Sequence, residues 1–264
     1  MTRWDSCHVS DGTGGELHRT QSCIRIVSLA AETSGGKYVC MEQRRTSRLD
    51  EPQMAEVLAD LHSRAAANDE HVLPRVLAAA SERGAQSDQQ MSDLLADAYI
   101  PISPVVGRLL HVLALTRRPG RIVEFGTSHG LSTIYLAAAT STGDLPIITT
   151  EAEPAKIAAA RENFSAAGVA DRIELRAGDA FETLAEFDEP ISMLFLDGWK
   201  GLYLPLLRLL EDRLVNGAIV IADDTALLPE LCADYLEYVR SNTGSYVSSA
   251  LPVDDGLEVS VVVR

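Results

Sequence analysis

Residues 121–130 read RIVEFGTSHG, and the fold turns on how they are understood. Arg121 to Phe125 is a β-rich run. It ends at Gly126, with a second glycine, Gly130, shortly after. Glycines at the carboxyl end of a strand let the backbone turn tightly and come close to a ligand. Thr127 and Ser128 follow Gly126, so the G-x-G-x-x-G dinucleotide fingerprint is absent, which weakens an NAD-dependent oxidoreductase.

From Arg121 onward, β-rich runs alternate with helical segments. The later runs are PIITTE (146–151), RIELRAG (172–178), ISMLFLD (191–197) and AIVIADD (218–224). Continuous apolar runs mark strands buried on both faces, so a mostly parallel sheet covered by helices is expected. The helix at 154–167 is bounded by Pro154 and Gly168. SYVSSALPV and LEVSVVVR, joined by DDG (254–256), predict an antiparallel C-terminal hairpin. The fold class is therefore α/β, a Rossmann-like sheet ending in that hairpin, with helices before it.

Residues 51–116 form that helical segment. Pro52 opens a helix containing MAEVLADLHSRAAA, Ser87 and Gln90 form a capping box, and Ser103-Pro104 caps VVGRLLHVLAL. Residues 1–50 lack a sustained period and carry DGTGGE, TSGGK and EQRRTSR, so disorder is expected there. Met41 is a second candidate start. Residues 117–264 form the catalytic-type domain.

The net charge of -15 argues against nucleic acid or an anionic membrane as partner. No apolar run approaches the roughly 18 residues of a membrane span. The apolar stretch Ile24–Ala31 is too short and too late for a signal peptide. Cys7, Cys23, Cys40 and Cys232 form no C-x-x-C, so neither a zinc site nor a disulfide framework is expected. A reducing, cytoplasmic location follows from that reading.

Acidic residues mark the strand ends. Glu151 closes the second strand about 20 residues beyond the glycine loop, where a carboxylate can take both hydroxyls of a ribose. Gly178-Asp179 follows the third strand. The bland alternative makes Glu124 and Glu151 helix-start carboxylates. Asp197 closes the fourth strand and Asp223-Asp224 the fifth. If those strands are neighbours, their ends lie about 4.8 Å apart. Oxygen-only ligands suit Mg²⁺, with Ca²⁺ or Mn²⁺ as alternatives; otherwise Asp223 and Asp224 are helix caps and Asp197 a turn residue.

Together VEFGTSHGLS, TTEAEP, RAGDAFETL, LFLDGWKGLY, VIADDT and LPVDDGLEV resemble the metal-dependent S-adenosylmethionine O-methyltransferases of the catechol and caffeoyl-CoA type. The resemblance covers about residues 100–264. It implies a class I methyltransferase sheet with an antiparallel seventh strand. It also implies that Glu151 holds the ribose, that Gly126 and Ser128 lie near the methionine part, and that Asp179 and Ala180 line the adenine. Ile102 borders the pocket and Trp199 walls it; Glu124, Ser132, Ala152, Gly178 and Asp197 complete the cofactor set. Asp197, Asp223 and Asp224 are the implied metal ligands. Lys200 matches the general base of the D-x-W-K segment, with burial and a nearby dication lowering its pKa. The acceptor is a small hydroxylated molecule with vicinal oxygens, and a homodimer is common in the family.

The chain departs from that pattern at three places. Asp223-Asp224 stands where Asp-Asn is usual, Gly198 where the animal catechol enzymes have histidine, and Ser249 where they carry a substrate-facing glutamate. Two other readings stay open: a metal-independent O- or N-methyltransferase, and a non-catalytic nucleoside-binding module. His129 reads as a neutral loop side chain, and His62, His71 and His111 carry no signal.

Overall fold

The computed structural model describes residues 48–264 except 84–87, 142, 228 and 242–244, and at 83, 88, 89 and 92 only the backbone. The expected disorder of residues 1–50 therefore concerns a segment outside the described residues, apart from the 3-10 turn Arg48–Asp50. Cys7, Cys23, Cys40, Met41 and the Ser87 cap also lie outside them.

Three helices come first: α1 (Pro52–Arg83), α2 (Asp88–Leu94) and α3 (Pro104–Thr116). The Ser103 side chain accepts from the Val106 amide, the N-cap that its sequence announces. The strands are β1 (Arg121–Phe125), β2 (Ile147–Glu151), β3 (Ile173–Ala177), β4 (Ile191–Leu196), β5 (Leu214–Ala222), β6 (Tyr246–Leu251) and β7 (Leu257–Val262). Between them lie α4 (Leu131–Ala137), α5 (Pro154–Ala166), α6 (Ala180–Thr183), α7 (Tyr203–Leu210) and α8 (Ala233–Arg240).

They form one seven-stranded sheet in the order β3-β2-β1-β4-β5-β7-β6. The four pairings along that order up to β5 are parallel, and β7 is antiparallel to both β5 and β6. The expected mostly parallel sheet with an antiparallel hairpin is what the chain adopts.

Successive side chains of a strand point to opposite faces. Ile122, Met193 and Phe195 face a core shared with Leu61, Leu110 and Phe164, while Val123, Leu194 and Leu196 face one containing Tyr203, Leu206 and Tyr235. Tyr135 of α4 ties the N-terminal helices to the first face. His62 Nε2 of α1 lies 3.1 Å from its hydroxyl, and His111 Nδ1 of α3 lies 3.1 Å from its carbonyl. Gly107 of α3 permits this approach, because a Cβ there would meet the Tyr135 ring at 2.4 Å.

The ladders continue past the strand ends. Asp197 N donates to Phe125 O at 2.9 Å, Asp223 N to Leu196 O at 3.0 Å, and Gly178 N to Glu151 O at 2.8 Å. The residues that follow three different strands, β3, β4 and β5, are thereby held at one carboxyl edge.

The hairpin is locked by Glu258, fully buried in β7. Its carboxylate accepts from Arg240 Nε of α8 at 2.9 Å and from Ser248 of β6. Glu258→Ala is expected to cost roughly 1–2 kcal/mol, a modest figure because the Arg240 side chain is about half exposed. Chemical denaturation should read this as a lower midpoint with an unchanged slope.

Candidate active site

The glycine loop departs from β1 through three residues of positive φ: Gly126 at 100°, Ser128 at 47° and Gly130 at 84°. Space as well as conformation demands glycine at two of them. A Cβ on Gly126 would lie 2.4 Å from the Asp197 carbonyl oxygen, and one on Gly130 would lie 2.3 Å from the Phe164 ring. The loop thus passes directly over the end of β4.

Glu151, at the end of β2, holds the loop. Its Oε2 accepts from the Ser128 amide at 2.7 Å, and its Oε1 accepts from the Ala152 and Glu153 amides at 2.9 Å each. Behind the loop Glu124 is fully buried, and desolvation raises its pKa against the lowering effect of hydrogen bonds from Thr133 and Thr149. Its Oε1 has no hydrogen-bond partner.

The opposite wall is Tyr99–Ile102, between α2 and α3. With the loop and Asp197 it borders a narrow cleft lined by Ile102, Gly126, Ser128, Ser132 and Asp197 among others. The Tyr99 ring stacks on His129 with centroids 3.6 Å apart and planes 8° from parallel. Ser128 Oγ donates to the Tyr99 carbonyl at 3.0 Å. Ile100 has φ 45°, a left-handed conformation costing an L-residue about 1–2 kcal/mol. Burial, then the positive charge of Lys156, depresses His129 to about 4, so its ring is neutral, as its sequence context suggested.

At the other end of the cleft stand the reactive groups. Burial and the neighbouring Asp223 charge push Asp197 well above the carboxylate range, and burial with Asp224 pushes Asp223 up to about 7. Lys200 opens a 3-10 turn after Trp199. Its Nζ donates to Asp224 Oδ2 at 2.8 Å and to the Tyr203 hydroxyl at 3.1 Å. The buried Tyr203 hydroxyl in turn donates to the Asp223 carbonyl at 3.2 Å. Burial works to lower the Lys200 pKa, but Asp197 and Asp224 outweigh it and the net direction is upward. The lowering expected of Lys200 rests on burial and a nearby dication; burial acts in that direction here, and the three surrounding acids act against it.

Ile102, Gly126, Ser128, Ser132 and Asp197, named from the sequence for the cofactor, line this cleft. Glu124 lies behind the loop. Glu151, Ala152 and Gly178 follow the same sheet edge at the ends of β2 and β3. Asp179 caps α6, accepting from the Phe181 amide at 2.7 Å, beside the buried Ala180. Trp199 is half-buried. Asp197, Asp223 and Lys200 meet as the sequence suggested, with Asp224 turned to Lys200. Among the described residues no three His, Cys, Asp or Glu side chains converge as a metal cage. The donor chemistry nevertheless fits a hard dication, because two desolvated carboxylates stand against each other with excess negative charge.

Tyr99, Ile100 and Tyr203 were not anticipated. Tyr203 follows Lys200 by one helical turn, a usable signal, whereas nothing at Tyr99-Ile100 announces a wall. Gly198 also acquires a reason: a Cβ there would meet the Phe125 ring at 2.5 Å. A histidine at that position requires Phe125 to move.

Residues 123–225 match the family model described as a methyltransferase domain. Catechol O-methyltransferase B of Danio rerio is 32% identical over 169 residues, covering 59% of this chain and 62% of that protein. The catechol O-methyltransferase of Mycobacterium tuberculosis is 32% identical over 126 residues, 47% of this chain and 57% of that one. The chain thus spans about three fifths of the length of these relatives. Among solved structures, the O-methyltransferase TomG from Streptomyces achromogenes, in complex with SAM, superposes with a TM-score of 0.60 at 23% identity. It covers 74% of this chain and 90% of that one. The Bacillus cereus O-methyltransferase in complex with SAH gives 0.55 at 22% identity, over 76% and 97%. These confirm the class I methyltransferase fold.

Two outcomes follow from the geometry. Gly126→Ala should abolish ligand binding at the cleft, measured by calorimetry, because its Cβ would stand only 2.4 Å from the Asp197 carbonyl oxygen, which the sheet hydrogen bonds hold in place. The raised folded-state pKa values of Asp197 and Asp223 contribute stability that is complete below the unfolded carboxylate pKa of about 4. That stability is lost as pH rises through about 7. Asp223→Asn should therefore raise the melting temperature of the ligand-free protein at pH 8 by about 2–4 °C, equivalent to about 1 kcal/mol, with a smaller gain at pH 5.

Proposed function

We propose that this chain is an S-adenosylmethionine-dependent O-methyltransferase acting on a small molecule with vicinal oxygens. The observation that carries it is the packing of Gly126 on the Asp197 carbonyl, which brings a glycine-loop cleft against a lysine and three aspartates. The relatives named for catechol support the acceptor class. Two features fit the cofactor: the loop leaves no room for a side chain at Gly126, and Glu124 Oε1 is buried without a partner.

S-adenosylmethionine would supply an electrophilic methyl on a sulfonium. Gly126, Ser128 and Ser132 would receive its methionine part, and Glu151 its ribose, exchanging the Ser128 amide for hydroxyl donors. That methyl would pass to the acceptor oxygen, with the electrons of the carbon–sulfur bond kept by sulfur. The hydroxyl proton passes to Lys200 Nζ. Lys200 must be neutral at that moment, so the pull of Asp197 and Asp224 on it must be offset. Asp197, Asp223 and Asp224 would hold a divalent cation, Mg²⁺ or another hard ion, whose charge offsets theirs and acidifies the acceptor hydroxyl. Tyr203 steers Lys200 from below, since its hydroxyl is fixed by the Asp223 carbonyl. Holding one hydroxyl in line with the carbon–sulfur bond is worth more than any single group here.

A second reading, methylation of oxygen or nitrogen without a metal, is favoured by the 2.8 Å Lys200–Asp224 pair. There Lys200 itself occupies the cationic position among the carboxylates.

Methyl-labelled S-adenosylmethionine with catechol and other vicinal-oxygen acceptors, in Mg²⁺ or in EDTA, separates these readings. Transfer that requires Mg²⁺ is expected; transfer surviving EDTA replaces the first reading by the second. Lys200→Ala should lower kcat at least about 100-fold with little change in cofactor affinity. Glu151→Ala should instead raise the cofactor Kd about tenfold, or about 1.4 kcal/mol. Loss of turnover in both variants through unfolding alone would defeat these separate roles.

A further inference from the structure

We propose that Asp69, on helix α1, is a positioning residue for cofactor binding, holding the Tyr99–Ile102 wall closed against the glycine loop. The inference rests on the cleft being the S-adenosylmethionine site. It concerns a residue far outside the matched methyltransferase domain, which begins at 123.

Asp69 is 7% exposed, and both of its oxygens are committed to consecutive backbone amides. Oδ1 accepts from Tyr99 N and Oδ2 from Ile100 N, each at 2.8 Å. Asn68 supports the same segment, donating from Nδ2 to Asp69 Oδ1 at 2.9 Å and to the Asp97 carbonyl at 2.8 Å. Immediately after these two amides the segment turns through the left-handed Ile100 at φ 45°. An isoleucine does not choose that conformation unaided. Its neighbours supply the functional connection: the Tyr99 ring lies flat on His129 of the glycine loop, and the Tyr99 carbonyl takes the Ser128 hydroxyl. Ser128 is itself held by Glu151. A chain of direct contacts therefore runs from α1 through the wall and the loop to the proposed ribose-binding carboxylate.

Without the Asp69 carboxylate, two amides lose their acceptors and Ile100 relaxes toward extended backbone. Tyr99 then leaves His129, and one side of the cleft opens. Asparagine keeps the volume and one acceptor oxygen, so it should preserve part of the effect.

Calorimetric titration of the full chain with S-adenosylmethionine, paired with amide hydrogen exchange of the ligand-free protein, tests this. Asp69→Ala is expected to raise the Kd about tenfold or more, and Asp69→Asn by a smaller factor. Exchange should accelerate in peptides covering 97–102 and 126–130 while those of β1 and β4 stay protected. An affinity within about twofold of the parent in both variants would overturn the proposal. So would faster exchange spread through β1 and β4, because the affinity loss would then reflect general destabilisation. If Asp69→Ala does not fold, Asp69→Asn decides on the same criteria. Failure of the parent chain to bind S-adenosylmethionine would instead remove the cofactor reading on which the role depends.

Discussion

Everything at this site depends on a contact between two pieces of backbone. Gly126 crosses the Asp197 carbonyl with no space for a methyl group. Both residues are also anchored to neighbouring strands, Gly126 N to the Thr150 carbonyl and Asp197 N to the Phe125 carbonyl. The separation between the loop and the acidic strand end is therefore set by sheet hydrogen bonds and excluded volume rather than by adjustable side chains. A reaction that needs donor, methyl carbon and acceptor in line gains most from such a fixed separation. The same fixity makes the glycine irreplaceable.

The second constraint is charge. β4 and β5 pair in parallel, with Leu196 opposite Ala222, so Asp197 and Asp223 must emerge side by side. In this poorly solvated place the Asp223 charge disfavours ionised Asp197 and the Asp224 charge disfavours ionised Asp223, while Lys200 opposes both effects. Asp224 adopts φ 55°, which lets it turn back to Lys200. Together with Ser128 and Ile100, that puts three of the non-glycine residues with positive φ around one cleft. Strain and repulsion of this kind oppose folding and persist only where the surroundings enforce them. Here the enforcement comes from strands β1, β2, β4 and β5, whose apolar residues are buried on both faces.

How much could be read in advance follows from which interactions are local. The strands were legible because their apolar runs stop abruptly at Glu151, Asp197 and Asp223, and parallel order then puts those ends together. The hairpin was legible from its DDG turn. The pairing of Lys200 with Asp224 was not, because it depends on where Asp224 Oδ2 points, a matter of side-chain placement across the sheet. Asp179 was expected beside an adenine, and its immediate partners are the first amides of α6, the simplest use of an aspartate before a helix. The Tyr99–Ile102 wall was illegible for a stronger reason: isoleucine prefers extended backbone, so its own propensity points away from the conformation it holds. Gly198 looked like a departure from a family pattern, and only the position of the Phe125 ring turns it into a packing requirement.

These differences divide the site into two kinds of structure. Asp197, Asp223 and the glycine loop are tied by backbone hydrogen bonds to strands within residues 123–225, and Lys200 stands one short turn beyond β4. The facing wall is held through one carboxylate on α1, a stacked ring and a serine hydroxyl. Substitutions in the helical segment can therefore tilt or widen the cleft without disturbing the spacing of the reactive groups, because no backbone ladder connects the two. Chemistry belongs to the sheet edge, and the shape of what it accepts belongs to the segment packed against it. That division accounts for the recognisable motifs from Val123 onward and for the lack of a comparable signature in the Tyr99–Ile102 wall.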